Sequence, residues 1–409
     1  MRPAPAAPRV APLVAPLVAP LVAPLAAATR DRVVAWRRHL HAHPELSFNE
    51  LETARFVRET LEGFGGLEVV SPTVTSVMAR LATGRPGPVL ALRADIDALP
   101  ITEETGLPFA SANRGVMHAC GHDGHTAILL GAAQELLAMR DGLCGEIRFL
   151  FQHAEELNPG GAEEMVQWGV MDGVDRVLGT HLWAPLAPGE VAVIEGAAMA
   201  APDVFRITIR GKGGHAAIPH ETVDPVAVGA QVAVNLQHVV SRGVDPLDHA
   251  VLSVTQFHAG TTHNVVPEVA ELTGTVRTFD AALRTAIPAR MERIIRGVTA
   301  AHGAEYEFTY ERGYRPVVND AEVTRELAEV VRTVCGPGAL VPMRPTTVGE
   351  DFSAYQQKAP GTFFFIGAGR AVDGAVHPHH HPKFDIDERA LETGVRIFVE
   401  AARRYCAPR

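Results

Sequence analysis

The nine residues Met117–His125 hold one thiol, three imidazoles and one carboxylate, separated by glycines that let the backbone turn sharply. Sulfur and imidazole donors at this density suit zinc, manganese, cobalt or nickel better than magnesium or calcium. The alternative interpretation is a glycine-rich loop with incidental histidines. The rest of the chain decides between the two, because further potential ligands occur elsewhere in it.

Polar residues follow several apolar runs that are typical of buried strands. Asp95 and Asp97 follow one such run, a glutamine, a histidine and two glutamates (152–156) follow the next, and His181 ends a third. A histidine-rich segment at 377–382 lies beyond the last. Each alone has an ordinary explanation, such as a turn cap or a half-buried histidine. Open α/β sheets build their sites where strands end, so the recurrence predicts a metal site there.

Glu155 and Glu156 are adjacent carboxylates. Neighbouring side chains of a regular strand point to opposite faces, so only a bent loop directs both to one centre. Gly160 and Gly161 permit such a bend. A solvated acidic pair is the alternative. In the functional interpretation, one carboxylate binds metal and the other stays free to carry a proton.

Apolar runs and helical spacing alternate over most of the chain, which predicts an α/β sheet. Thr29 or Asp31 is expected to cap a first helix, and Asn49 a second. The predicted strands are 88–94, 146–151, 176–181 and 362–366, and the predicted later helices of this part are 125–140, 161–168, 320–335 and 387–404.

The pattern of apolar and polar residues changes near residue 190. Val204–Arg210 and Glu271–Arg277 alternate apolar and polar residues, while 223–240 and 281–302 read as amphipathic helices. This predicts an antiparallel sheet covered by two helices. We therefore expect a catalytic α/β domain of mostly parallel strands, interrupted by an α+β insertion. The expected boundaries are a tail at 1–29, catalytic residues 30–190, an insertion at 191–312 and catalytic residues 313–409.

The composition of the 409 residues excludes some classes of protein. The formal net charge is −10 and no basic stripe occurs, so we expect no nucleic-acid partner. Residues 10–26 carry a proline at about every fourth position, which disfavours a membrane span and favours a low-complexity tail. An alanine-rich end at 26–28 leaves export as the alternative. Four widely spaced cysteines favour a reducing, cytoplasmic location.

Seven ordered motifs resemble the metal-dependent amidohydrolases that include hippurate hydrolase, bacterial N-acyl-amino-acid amidohydrolases and plant auxin-conjugate hydrolases. The resemblance spans about residues 30–405 and is more specific for the family than for the substrate. The motifs are Arg93–Pro100, Met117–His125, Phe151–Glu156, Gly211–His215, Asn264–Pro267, Gly349–Phe352 and His380–Phe384.

The resemblance implies a general base, Glu155, and a residue that orients a ligand, Asp97. Five ligands exceed the needs of one open tetrahedral site, so two divalent transition-metal ions are expected, with the Cys120 thiolate able to bridge them. Three consecutive histidines keep the register of the last ligand open, with His379 and His381 as alternatives. The implied ligands are Cys120, His122, Glu156, His181 and His380.

The inserted region resembles the lid, or dimerisation, domain of that family. His215 is expected to act at the site across a homodimer, and Asn264 to bind substrate. The family often has proline in place of His153 and an apolar or aromatic residue in place of His263. The expected reaction is hydrolysis of an N-acyl-L-amino acid. The rivals are a carboxypeptidase or dipeptidase of the same superfamily and a non-catalytic metal-binding protein.

Overall fold

The computed structural model describes residues 23–408. The prediction of a tail falls partly outside them, at 1–22. Within them, the first helix begins at Ala27, three residues before the expected start of the fold. Neither Thr29 nor Asp31 caps it: Ala26 is the N-cap, and the buried Thr29 hydroxyl instead donates to Glu135 Oε1 at 2.7 Å. The prediction was wrong because the alanines that follow Pro24 have high helix propensity.

The second helix also differs from the expectation at its start. Glu50, not Asn49, occupies the N-cap position, and the Asn49 amide donates to the Ser47 carbonyl oxygen. The helices are α1 Ala27–Ala42, α2 Leu51–Phe64, α3 His122–Ala138, α4 Ala162–Trp168, α5 Pro225–Ser241, α6 Ala281–His302, α7 Ala321–Cys335, α8 Ser353–Gln356 and α9 Arg389–Tyr405.

Long strands and two-residue strands both occur. In chain order the strands are β1 Glu68–Val70, β2 Val77–Ala82, β3 Val89–Asp95, β4 Glu146–Gln152, β5 Arg176–Trp183, β6 Val191–Val193, β7 Gly196–Met199, β8 Ala201–Arg210, β9 Gly214–His215, β10 Ala250–Ala259, β11 Val265–Val266, β12 Val269–Thr278, β13 Glu305–Glu311, β14 Val317–Asn319, β15 Gly361–Gly367, β16 Ala371–Val372 and β17 Ala375–Val376.

Seven strands form one sheet in the order β1-β2-β4-β3-β5-β15-β6. The central strands β4, β3, β5 and β15 are parallel, whereas β2 and β6 run antiparallel to their neighbours. Every residue of β15 is buried, as expected of a parallel strand covered on both faces. The predicted α/β class with a mostly parallel sheet is confirmed.

Helices cover both faces of this sheet. The helices α1, α2, α3, α7 and α9 pack on one face, where their apolar side chains share a core with β2, β3 and β4. The opposite face is covered by α4 and α8, with Met165 and Tyr355 in its core. These two helical layers hold the strands in position, so side chains at the C-terminal ends of the parallel strands are also held in place.

A second, antiparallel sheet has the order β10-β12-β8-β13, with α5 and α6 on one face. The burial of β8 alternates along its ten residues, because one face meets the helices and the other does not. The predicted antiparallel sheet with two helices is confirmed, and β10 and β13 are strands that the sequence analysis did not identify. The domain boundaries at 190 and 312 stay predictions.

Two further observations bear on the compartment in which the protein resides. None of the helices within residues 23–408 combines the length and apolar character that crossing a bilayer requires. The four cysteines Cys120, Cys144, Cys335 and Cys406 are free thiols. The expected cytoplasmic location stays a prediction.

Candidate metal centre

The parallel strands deliver polar side chains to one edge of the large sheet. Asp95 ends β3 and is paired in register with Gln152, which ends β4. His181 lies near the end of the neighbouring strand β5. Because parallel strands end at a common edge, three chain segments that are far apart in sequence meet there.

The loop before α3 supplies the next two donors. Gly121 has φ +98°, a conformation that favours glycine, and from it the chain enters α3 at His122. His122 Nδ1 donates to Asp97 Oδ1 at 3.1 Å and to the Asp97 carbonyl oxygen at 3.0 Å. Its Nε2 is buried and has no hydrogen-bond partner within residues 23–408. An imidazole held through one nitrogen with the other free is the arrangement of a metal ligand.

The other two histidines of this motif have different surroundings. His125 Nδ1 lies 2.7 Å from Asp95 Oδ1, and His125 Nε2 accepts the Leu182 N–H at 2.8 Å. Both of its nitrogens are therefore engaged, and it is a structural residue. His118 is buried beside His41, with ring centroids 6.4 Å apart, and burial lowers its pKa to about 4.

A bend in the loop after β4 directs both glutamates toward His122. Ala154 has φ +51°, and its N–H is held by the buried carboxylate of Glu50 at 2.8 Å. Glu155 Oε2 and Glu156 Oε1 each lie 3.9 Å from His122 Nε2. The Tyr314 hydroxyl donates to the Glu155 carbonyl oxygen at 2.7 Å, which fixes the bend from the far side. The structure thus has the bent loop that the adjacent carboxylates require.

Asp97 holds two of the candidate ligands at once. Besides contacting His122, it accepts hydrogen bonds from the Ser47 hydroxyl at 2.7 Å and from the Glu156 N–H at 2.9 Å. Burial acts to raise the pKa of Asp97, but the His122 hydrogen bond outweighs it and leaves that pKa below its usual value. An ionised Asp97 therefore orients both the imidazole and the backbone of the second glutamate.

Cys120 is shared by two groups of donors. It lies with Glu156 and His380 in one group and with His181 and His379 in another, and in each group the donor atoms are within 4.8 Å of one another. The Cys120 Sγ to His181 Nε2 distance is 3.4 Å. The thiol sits where the two groups meet, so it could serve as a ligand to a metal ion held by either group.

Two of the three consecutive histidines, His379 and His380, are candidates for the last metal ligand. His380 Nε2 lies 3.1 Å from Glu156 Oε1, whereas His379 Nε2 accepts the Ala184 N–H at 3.2 Å. His381 stacks on His377 and belongs to neither donor group. The hydrogen bond of His379 occupies its Nε2 and leaves its buried Nδ1 without a hydrogen-bond partner among the described residues, so the choice of His380 rests on the resemblance and stays a prediction.

The electrostatics of the site fit bound cations. Burial, together with Glu350 and Glu156, holds the pKa of Glu155 well above its usual range, and burial with Glu156 raises the pKa of Cys120. Asp95 and Asp97 outweigh burial and raise the pKa of His122 to about 10. Crowded anionic donors favour bound protons, and divalent ions would displace those protons from the thiol and the imidazole. The donor set therefore suits thiophilic divalent metals.

Arg93 ties the floor of the site together. Its guanidinium is fully buried and donates to Gln152, Asp95 and Asp351 at 2.8–2.9 Å. Glu350 is also within 3.0 Å of this guanidinium and faces Glu155. The sequence analysis quoted the motif that contains Glu350 and Asp351 without giving these residues a role. They lie buried against the ends of β3 and β4, which Arg93 links through Asp95 and Gln152.

His215 and Asn264 lie away from this centre. His215 is exposed in β9, where its Nδ1 accepts the Ala217 N–H, and the Asn264 carbonyl oxygen accepts the Ala216 N–H at 3.1 Å. Neither residue lines the cavity at the metal centre. The structure therefore places His215 and Asn264 close to each other, but it does not place them at the metal centre of the same chain. Their contribution across a dimer stays a prediction.

The cavity at the centre has a volume of about 240 Å³ and contains a cation that the sequence analysis missed. Arg277, on β12, lines it together with Cys120 and Glu155. Its guanidinium has no hydrogen-bond or ion-pair partner among the described residues, and burial lowers its pKa, with Asp203 only partly offsetting this. The sequence signal that could have pointed to it was an arginine within the predicted strand Glu271–Arg277, whose residues are alternately buried and partly exposed.

Comparison with known proteins places these observations in context. Residues 91–404 match the peptidase family M20/M25/M40. An N-acyl-L-amino acid amidohydrolase of Geobacillus stearothermophilus is 66% identical over 287 residues, 70% of this chain and 78% of that protein. Thermostable carboxypeptidase 1 of Saccharolobus solfataricus is 41% identical over 92% of this chain and 95% of that protein. The crystal structure of Bacillus subtilis YXEP, described as a dinuclear metal binding peptidase, has a TM-score of 0.81 at 39% identity, covering 93% of this chain and 99% of that one.

Proposed function

The chain belongs to the peptidase family M20/M25/M40 and is a metal-dependent amidohydrolase, and from that premise we propose that it removes the acyl group from N-acyl-L-amino acids. The observation that carries the proposal is the 240 Å³ cavity. It combines a thiol shared by two donor groups, a buried carboxylate outside those two groups, and an unpaired guanidinium.

Two divalent ions would be held by the implied ligands, of which Cys120 belongs to both donor groups. When bound, such ions supply an activated water and polarise the amide carbonyl. The description of YXEP as dinuclear supports this number. The proposed ligands are Cys120, His122, Glu156, His181 and His380.

Glu155 is the proposed general base. Its carboxylate faces the donors but lies outside the two groups that share Cys120. It takes a proton from the attacking water, whose oxygen bonds to the amide carbon, and delivers that proton to the nitrogen as the C–N bond breaks. The products are a carboxylic acid and a free amino acid. Tyr314 keeps Glu155 in place through its backbone oxygen.

Arg277 would recognise the substrate's α-carboxylate. A guanidinium presents donors in a planar fork that matches a carboxylate, and a partly desolvated one without a partner gains most from such a ligand. N-acyl amino acids carry this carboxylate one carbon from the amide nitrogen. Cleavage at the metal centre and charge recognition at Arg277 are thus compatible within one small cavity.

A carboxypeptidase is the second candidate. The similarity to thermostable carboxypeptidase 1 favours it, and a peptide also ends in a carboxylate that Arg277 can bind. The two functions differ in what lies on the acyl side of the cleaved bond. A non-catalytic metal-binding role is disfavoured by the free carboxylate of Glu155 beside the donors.

We also propose a homodimer formed through residues 190–312. β10 is an edge strand of the antiparallel sheet, and its second half is exposed, including Phe257 at 39%. An exposed edge of this kind invites pairing with a second copy. In such a dimer, His215 would contribute to the partner's site.

The test is a hydrolysis panel with defined metals. Acetyl, benzoyl and indole-acetyl amino acids are compared with dipeptides, using chelated protein and protein reloaded with zinc, manganese, cobalt or nickel. We expect metal-dependent release of amino acid from the acyl substrates. In Arg277→Met the KM should rise by about tenfold or more, because a charge-assisted contact contributes about 1.5–3 kcal/mol. Cleavage of peptides alone would support the carboxypeptidase instead.

A further inference from the structure

A second cavity, of about 490 Å³, adjoins the one at the metal centre. Arg277 lines both cavities and so forms their common wall. The other walls come from the start of β10, the residue Phe279 after β12, and the segment 344–347 that precedes Glu350. A molecule bound to the Arg277 guanidinium at the metal centre therefore lies beside this second space.

The charges of the second cavity favour an anion. Arg344 lines it, is exposed, and has no hydrogen-bond or ion-pair partner for its guanidinium within residues 23–408. With Arg277 this gives two guanidinium groups, against a single carboxylate, that of Asp248. His249 packs edge-on against Phe279, with ring centroids 6.3 Å apart, so part of the wall is aromatic. The arrangement suits a short aliphatic chain that ends in a negative charge.

We propose that this cavity is a subsite for the side chain of the leaving amino acid and that it favours acidic side chains such as that of glutamate. The inference rests on the proposed function, because it places the substrate's α-carboxylate on Arg277. The side chain branches from the carbon next to that carboxylate. In the proposed arrangement it extends toward the adjoining cavity, where the guanidinium of Arg344 would meet its terminal carboxylate.

Glutamate and glutamine substrates test the charge alone, since their side chains have nearly the same shape. The quantity measured is the ratio of kcat/KM for N-acetyl-glutamate to that for N-acetyl-glutamine, in the metal-loaded protein. Arg344→Met removes the guanidinium and keeps an unbranched stem. Arg296→Met is the matched control, because Arg296 is exposed on α6, lies outside both cavities and changes the net charge equally.

We expect a ratio of about five to ten in the unchanged protein, as for a partly exposed charge pair of about 1 kcal/mol. The ratio should fall to about one in Arg344→Met and stay unchanged in Arg296→Met. Salt should lower it in the unchanged protein, because exposed charges are screened. A ratio near one in the unchanged protein, or a ratio that survives Arg344→Met, would overturn the subsite while hydrolysis itself upholds the proposed function. Failure to cleave any N-acyl amino acid would overturn both.

Discussion

Replacing Asp97 by asparagine isolates the role of one buried carboxylate in holding the metal ligands. Asp97 Oδ1 accepts from His122, and Asp97 Oδ2 accepts from Ser47 and from the Glu156 N–H. An asparagine has one acceptor oxygen and one donor NH₂ group. Whichever way the amide turns, the NH₂ group faces a donor, so at least one of these hydrogen bonds is lost.

The expected magnitude follows from that loss. A hydrogen bond to a charged group contributes about 1.5–3 kcal/mol, and 1.4 kcal/mol is a factor of ten in binding. Asp97→Asn should therefore weaken metal binding by about 10- to 100-fold, in the range found for residues that orient metal ligands. The measurement is competition with a chelator of known affinity, followed by metal analysis of the dialysed protein.

Asp203→Asn is the matched control. Asp203 is also a buried carboxylate with several donors, among them Arg284, the Tyr310 hydroxyl and the Gly313 N–H, but it lies in the antiparallel sheet. Asp203→Asn should lower the melting temperature without changing metal affinity. Equal loss of metal in both variants, or unchanged affinity in Asp97→Asn, would show that Asp97 does not orient the ligands.

Three further predictions concern the base, the thiol and the dimer. Glu155→Gln should keep its metal and lose activity by about 10²- to 10⁴-fold, as is typical of general acid–base groups, whereas loss of metal would exchange the roles of the two glutamates. Cys120 should resist alkylation while metal is bound and react after chelation, with Cys144 labelled equally in both states as the internal control; equal labelling of Cys120 would remove it from the site. Mixing His215→Ala with Glu155→Gln chains should restore activity above either parent if His215 acts across a homodimer, and no recovery would place His215 in cis or outside the site.

Chain-local patterns were enough to place most of the regular elements. The strand predicted at 88–94 is β3 Val89–Asp95, and the helix predicted at 281–302 is α6 Ala281–His302. Long apolar runs and helical spacing encode burial directly, and burial is what forms these elements. The start of α1 was predicted wrongly, because the prediction looked for a side-chain cap at Thr29 or Asp31 and gave too little weight to the helix propensity of the preceding alanines.

The donor types were also readable from the sequence, since a thiol, imidazoles and carboxylates at strand ends are local facts. The sequence did not show which of these donors keep an atom without a hydrogen-bond partner. His122 and His125 are three residues apart in one motif, yet His125 is consumed by Asp95 and Leu182, whereas His122 keeps its Nε2 free. That difference depends on partners up to about 60 residues away, and only the folded chain brings them into contact.

The sequence by itself determined the chemistry of the donors and the layered α/β architecture, because both follow from residue types and their local spacing. The tertiary structure alone decided that Cys120 lies between two donor groups, that His380 reaches Glu156, and that Arg277 enters the cavity from the other sheet. Most of these contacts join segments more than 60 residues apart. Their geometry is set by how the two sheets and their helices pack, and no local pattern encodes it.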